Sequence, residues 1–187
     1  INTDEINIEG NYVLKPRFGG SSIGVEIIND GITAQKLIKN SDLYSQGAVI
    51  EKYLENSTDL LVGVRNFPDF DISEIEKPLK NETLFSYNDK YLENGGLEGS
   101  KRELPAKLSE QIEKKLIDMV QKINHIIPTR GIYRYDFLLH ENKLYVNEIN
   151  TIPGSHALYL WKNLDNSKFE LLDSMIDEAL SKQFNNW

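Results

Sequence analysis

Apolar residues in this chain fall into short runs broken by polar turns, with helical spacing confined to two stretches of the second half. The longest paired pattern is residues 131–150, Gly-Ile-Tyr-Arg-Tyr-Asp-Phe-Leu-Leu-His-Glu-Asn-Lys-Leu-Tyr-Val-Asn-Glu-Ile-Asn. Aromatic and β-branched residues fill both arms and Glu141-Asn142-Lys143 interrupts them, which predicts a β-hairpin. Before it, the pattern predicts strands at 12–16, 25–28, 48–54 and 60–65 and a short helix at 33–38, with Pro16 ending the first strand because it cannot donate to a ladder. Residues 66–104 are the least regular. In 105–127, Leu108, Ile112, Leu116, Met119, Val120 and Ile123 form one stripe opposite lysines and glutamates, which predicts a scaffold helix packed on the sheet. A last helix is expected at about 168–184, where Ser167 precedes Glu170 at capping-box spacing and Leu172, Ile176 and Leu180 recur.

The hairpin arms are apolar enough for core strands, yet Arg134, Asp136, Glu148 and Asn150 are set into them. Side chains alternate faces along a strand, so Arg134 shares a face with Asp136, and Glu148 with Asn150. Whether the two faces coincide depends on the turn. A two-residue turn at Glu141-Asn142 sets Asp136 opposite Asn147 and turns Glu148 away. A three-residue turn sets Asp136 opposite Glu148 and Arg134 opposite Asn150. We expect the second register, or a bulge that restores it. Two carboxylates and an amide oxygen meeting there suit a hard cation such as Mg²⁺, whereas a salt bridge from Arg134 to Asp136 would make the hairpin purely structural. The hairpin alone leaves both readings open.

Composition narrows the partners. The chain has 187 residues, 40% hydrophobic and 27% charged, enough for a core in one large domain or two small lobes. A formal net charge of -8 argues against a general nucleic-acid or anionic-membrane surface, so any phosphate ligand must be held locally. There is no cysteine, which excludes disulfides, zinc-thiolate sites and cysteine nucleophiles, and His125, His140 and His156 lack ligand spacing. No apolar run reaches the roughly 20 residues that span a bilayer. The first residue is Ile, and a strand is expected almost at once, so we expect a piece of a longer chain.

Two further stretches carry candidate chemistry. Residues 17–24, Arg-Phe-Gly-Gly-Ser-Ser-Ile-Gly, lie between two expected strands and offer closely spaced N–H groups and hydroxyls without Cβ atoms in the way of a phosphate. Lys15 adds a positive charge just before them. No Gly-Lys-Ser/Thr ending is present, so this is not a Walker loop, and a plain hairpin turn is the competing reading. Glu51-Lys52-Tyr53 could bind a purine edge and face, although such triplets are more often solvated strand ends. Residues 84–100, with Lys90-Tyr91 and several glycines, have the composition of a lid or an inert surface loop.

Set in order, Lys15-Pro16, Gly20-Ser21-Ser22-Ile23-Gly24-Val25, Glu51-Lys52-Tyr53-Leu54, Tyr87-Asn88-Asp89-Lys90-Tyr91, Arg134-Tyr135-Asp136 and the run from Asn147 to Gly154 resemble the ATP-grasp superfamily, and within it the D-alanine:D-alanine ligases. The resemblance runs from Tyr12 to about Leu158 and is most specific in its last motif. It implies an α+β ATP-grasp fold, two lobes with mainly antiparallel sheets that sandwich the nucleotide, with the N-terminal domain of such ligases absent. The lobes would be residues 1–53, part of the central lid lobe, and 54–187, the C-terminal catalytic lobe.

The resemblance also implies the roles. Lys15 would contact phosphates, and the loop with Gly20, Ser21 and Ser22 would cover the β and γ phosphates, Ser22 acting near the reaction. Glu51, Lys52, Tyr53 and Leu54 would hold adenine, Asp59 (or Thr58) the ribose, and Lys90 and Tyr91 would sit on the mobile loop near phosphate and substrate. Asp136, Glu148 and Asn150 would hold two Mg²⁺ ions, for which Mn²⁺ can substitute. An amino-acid carboxylate would become an acyl phosphate, and the amine of a second amino acid, D-alanine, would attack it, giving ADP and phosphate. Arg134 and the Gly154 amide would stabilise the oxyanion, Arg134 leaving Asp136 to the metal. Such an enzyme makes a peptidoglycan precursor in the cytoplasm, binds small molecules and neither nucleic acid nor membrane, and can be a homodimer at full length, while this portion alone would be inactive. One departure is the turn after Gly154, about two residues short, with Ala157 where a carboxylate-binding serine is expected unless Ser155 replaces it. That leaves as alternatives a ligase with another acceptor or a nucleotide-binding module without catalysis.

Overall fold

A computed structural model describes residues 10–79, 101–127, 129–161 and 167–181. The side chains of residues 167 and 168 are outside that description, as are the expected loop at 84–100 and its Lys90 and Tyr91. The described residues fall into two compact units, the first ending at Glu55 and the second beginning at Asn56. Both are α+β with antiparallel sheets.

In the first unit, β1 (Tyr12–Pro16) lies between β2 (Glu26–Ile28) and β3 (Ala48–Lys52). Leu14 and Ile28 project from one face onto Ala34 of α1 (Gly31–Asn40) and onto Tyr44, and this small cluster is the unit's core. The helix starts two residues before the expected Thr33, because Asp30 caps it: its carboxylate accepts from Thr33 N and from the Thr33 hydroxyl, both at 2.7 Å. β3 ends at Lys52, so Tyr53 and Leu54 leave the expected strand, although Tyr53 N still donates to Asn11 O at 3.0 Å.

The second unit is a five-stranded sheet in the order β6-β5-β4-β7-β8. β4 is Thr58–Arg65, β7 Ile132–His140 and β8 Lys143–Asn150. β5 (Asp71–Pro78) and β6 (Arg102–Glu103) both fall inside the stretch expected to be irregular. β5 carries no clear strand pattern in the sequence, because a register shift opposite Val62–Val64 breaks its alternation and because its buried carboxylate, Glu76, is of a type usually found at the surface. On one face, Leu60, Val62, Val64, Ile75, Tyr135 and Phe137 pack against Leu116 and Val120 of α2 (Glu110–Ile126). α2 begins five residues later than expected, since Ser109 supplies the cap and Ala106 N is instead bonded to Ile75 O at 2.7 Å. On the other face, Ile132 packs with Ala157, Leu160, Trp161 and Leu171, the last on α3 (Ser167–Ser181). α3 includes Ser167 as its first residue, so that serine is inside the helix and not ahead of it.

The hairpin between β7 and β8 resolves the register in its second expected form. The turn has two residues: His140 pairs with Lys143, and Glu141 and Asn142 have φ of 48° and 60°, the left-handed pair that a tight hairpin turn of the I′ type requires. Phe137 pairs with Val146, but Asp136 pairs with Glu148, so Asn147 is one residue surplus to the ladder. The bulge puts Leu144 and Ile149, an odd five residues apart, on the same core face. Glu148 and Asn150 are thereby brought to the face of Asp136 and Arg134.

Candidate active site

Residues directly opposite in a ladder share a face, so the pairings define rows across the second sheet. Glu76, Leu61, Asp136 and Glu148 form one row. Gly63, Arg134 and Asn150 form the next. Arg102 pairs with Pro78, two residues from Glu76, and so lies on this face too. Asp59, two residues from Leu61, does likewise. Four candidates from two successive strands, Arg134, Asp136, Glu148 and Asn150, are thus gathered into adjacent rows by one hairpin.

Their hydrogen bonds join them. Arg134 donates to Asp136 in a bidentate fork, Nε to Oδ1 and Nη2 to Oδ2, both at 2.7 Å. The Asn150 amide donates to Asp136 Oδ2 at 3.1 Å and to Glu148 Oε1 at 3.2 Å. The expectation that Arg134 stands apart from Asp136 is therefore corrected. Both side chains are nearly buried, and two opposite charges two residues apart on one face are far costlier unpaired than paired. Burial opposes the guanidinium charge, but the hydrogen bonds and charge of Asp136, with Tyr159 and Glu148, outweigh it and raise the Arg134 pKa.

This donor set fits a hard divalent cation. Two carboxylates and an amide meet on one face with Glu148 exposed, and a half-turn of the Asn150 amide presents Oδ1 in place of Nδ2. Among the described residues no three His, Cys, Asp or Glu side chains are grouped so that they could hold a metal ion by themselves, so the amide is needed to complete the set.

A second polar group on this face had no signal in the sequence. Glu76 is 2% exposed; its Oε1 lies 3.2 Å from Arg102 Nη1, and its Oε2 accepts from the Tyr159 hydroxyl at 2.9 Å. The Arg102 guanidinium lies over the Tyr159 ring, 4.6 Å from its centroid. Burial pushes the Glu76 pKa up, against the opposing pull of Arg102, Tyr159 and Arg134. The Tyr159 pKa is also raised, first by burial and next by the Glu76 charge.

Tyr159 reaches this place through an unusual turn. Ser155, His156 and Ala157 have φ of 50°, 49° and 52°, three successive left-handed residues without a glycine among them, and His156 N donates to Pro153 O at 2.9 Å. Each such residue costs about 1–2 kcal/mol, strain that packing must offset. Ala157 is fully buried in the Ile132 cluster, while Ser155 and His156 are exposed. Trp161 covers Gly63, where a Cβ would come within 3.1 Å of the indole Nε1 and 3.2 Å of Ser73 Oγ.

In the first unit, Lys15 and Glu51 form an ion pair at 2.6 Å. Val13 pairs with Glu51 and Lys15 with Val49, so these two candidates are diagonal neighbours on one face. Lys52 pairs with Tyr12 and falls on the other, where Tyr12 joins the helix-packed cluster; the structure does not bring it to Glu51. Ser21, Ser22 and Gly24 have φ of 54°, 60° and 72°, and Ile23 N donates to Gly20 O at 3.1 Å, which makes a left-handed loop of the expected Gly-Ser stretch. The Tyr44 hydroxyl anchors it by donating to Gly24 O at 2.6 Å. Among the described residues no helix is long and apolar enough to cross a membrane.

Residues 8–177 match the family model described as D-ala D-ala ligase C-terminus. The D-alanine–D-alanine ligase of Thermosipho africanus is 32% identical over 173 residues, which are 92% of this chain and 47% of that protein. The chain thus spans about half the length of the curated relatives it matches. Among solved structures, D-alanyl-alanine synthetase A from Vibrio cholerae aligns with a TM-score of 0.75 at 21% identity, covering 92% of this chain and 53% of that one. The D-alanine–D-alanine ligase from Helicobacter pylori aligns at 0.66 and 24% identity, covering 98% and 50%. Both likenesses establish the ATP-grasp fold.

Proposed function

Because the chain belongs to the D-ala D-ala ligase C-terminus family, we propose that it is the ATP-binding and catalytic portion of a ligase that joins two amino acids. A carboxylate is a poor acyl donor, so the first amino acid is activated as an acyl phosphate, and the amine of the second, D-alanine, displaces phosphate. The dipeptide is a peptidoglycan precursor, and we assign the enzyme to the cytoplasm, where ATP is supplied. The observation that carries this reading is the single sheet face shared by Asp136, Glu148, Asn150 and Arg134.

Asp136, Glu148 and Asn150 would hold the divalent ions. When bound, Mg²⁺ supplies neutralisation of phosphate charge during phosphoryl transfer. Arg134, already charged and held in a fork, would turn its cation toward the developing oxyanion beside the Gly154 amide. The unit ending at Glu55 would serve as the lid lobe, with Lys15 and the Gly20–Gly24 loop toward phosphate, Ser22 nearest the transfer, and Glu51 with Tyr53 and Leu54 toward adenine. Lys52 supports adenine less well, since alternation turns it from Glu51. Asp59, on the same face as Asp136, would meet the ribose, and Lys90 and Tyr91 would act from the loop.

The test is phosphate release by the full-length enzyme with ATP and Mg²⁺. Release that requires D-alanine is expected. Release driven only by other amines, or none, would overturn the assignment.

A further inference from the structure

The motif that the ligase reading leaves unexplained is the short turn after Gly154. Ala157, where a carboxylate-binding serine was expected, is fully buried against Ile132, Leu160 and Trp161 and cannot face an acceptor. The same segment packs on β4, β5 and β7, and it delivers Tyr159 to the sheet face that carries Arg134 and Asp136. Glu76, which receives the Tyr159 hydroxyl, lies in the row of Asp136 with only Leu61 between them, about 10 Å at the usual strand spacing.

We propose that Tyr159 is a specificity-determining residue for the acceptor amino acid, held in position by Glu76 and Arg102. The inference rests on the ligase reading above. An acceptor must present an uncharged amine to the acyl carbon while its own carboxylate is directed elsewhere, and Arg134 would be committed to the oxyanion. Arg102 brings a second guanidinium to this face, stacked on the phenol, and because the hydroxyl gives its proton to Glu76, what the pair sets beside an acceptor is a fixed aromatic wall backed by a guanidinium, whose shape decides which acceptor fits. Glu76 fixes the wall from behind. It takes the hydroxyl through one oxygen and the guanidinium through the other, so ring and cation cannot move independently. The row that Glu76 shares with Asp136 puts the phenol on the sheet face of the reacting centre.

The experiment compares the full-length enzyme with its Tyr159→Phe variant, which keeps the ring and loses the bond to Glu76, and with Arg102→Lys, which keeps the charge and loses the planar stack. Tyr159→Phe should raise the KM for the acceptor tenfold or more, leave the KM for ATP within twofold and retain kcat at saturating acceptor. Arg102→Lys should show the same split to a smaller degree. Unchanged acceptor KM in both variants would overturn the inference and leave the ligase reading intact. So would a parallel rise in both KM values with a lowered melting temperature, because that is what a merely structural residue gives. A wild-type enzyme without amino-acid-dependent phosphate release would overturn the ligase reading and this inference with it.

Discussion

Arg134 and Asp136 meet side by side, two residues apart on one strand, with both carboxylate oxygens 2.7 Å from guanidinium nitrogens. The pair holds the site's strongest cation directly against its most buried candidate metal ligand. Removing either partner alone should therefore be costly. Arg134→Met should destabilise the protein by about 3–5 kcal/mol, the usual penalty for a buried charge left without its partner, as read from denaturant unfolding. The double variant Arg134→Met with Asp136→Asn should recover much of that loss.

Metal binding can be read separately from stability. Asp136→Asn and Glu148→Gln should each weaken Mg-ATP binding by tenfold or more in calorimetry. Unchanged affinity in both would remove the metal role from this face.

The bulge yields a sharper contrast. Asn147 is surplus to the ladder, so its deletion leaves Glu148 opposite Asp136 in a straight hairpin and should preserve divalent-ion binding within a few fold. Inserting one residue between Glu148 and Ile149 swaps the faces of Ile149 and Asn150. That variant should lose both ion binding and stability, as measured by Mn²⁺ titration and thermal melting.

Tyr135 gives a pH prediction. Its hydroxyl is buried with no hydrogen-bond partner among the described residues, and burial, with a smaller contribution from Tyr133, pushes its pKa up to about 12. In an unfolded chain a tyrosine loses its proton near pH 10. The folded state therefore binds the extra proton between about 10 and 12, and stability falls as pH rises through that window. Tyr135→Phe should flatten this alkaline limb, and at neutral pH should be neutral or stabilising by about 1 kcal/mol, since a buried hydroxyl without a partner is lost.

Gly63→Ala tests the cover over the Arg134 row. The new Cβ would press on the Trp161 indole and on Ser73 Oγ, which itself accepts from Gly63 N at 2.8 Å. A loss of about 1–3 kcal/mol is expected, with a shift in tryptophan emission as the indole moves.

Local chemistry carried much of this in the sequence. The hairpin, the faces of Asp136 and Glu148 and the helix stripe through Leu116 and Val120 follow from alternation and helical spacing, which a single strand or helix displays by itself. The bulge entered only as a way to reconcile two registers. Glu76, Arg102 and Tyr159 were not legible, for three different reasons. Glu76 lies on a strand whose alternation is broken by a register shift, Arg102 belongs to a strand of two residues, and Tyr159 depends on the path of a turn. None of these is a property of a local window, because each is set by what the neighbouring strands do.

The turn at Ser155, His156 and Ala157 has one further consequence, which is about handedness. For three residues the backbone winds as the mirror image of an ordinary helical turn, then reverts at Leu158. A right-handed turn of the same length would leave its last residue with a different heading. What aims Tyr159 at Glu76 is thus the sense of winding, not the number of residues, and the buried methyl of Ala157 holds that sense in place. Two chains with equally short turns but opposite winding would send different side chains to the sheet face that carries Arg134 and Asp136.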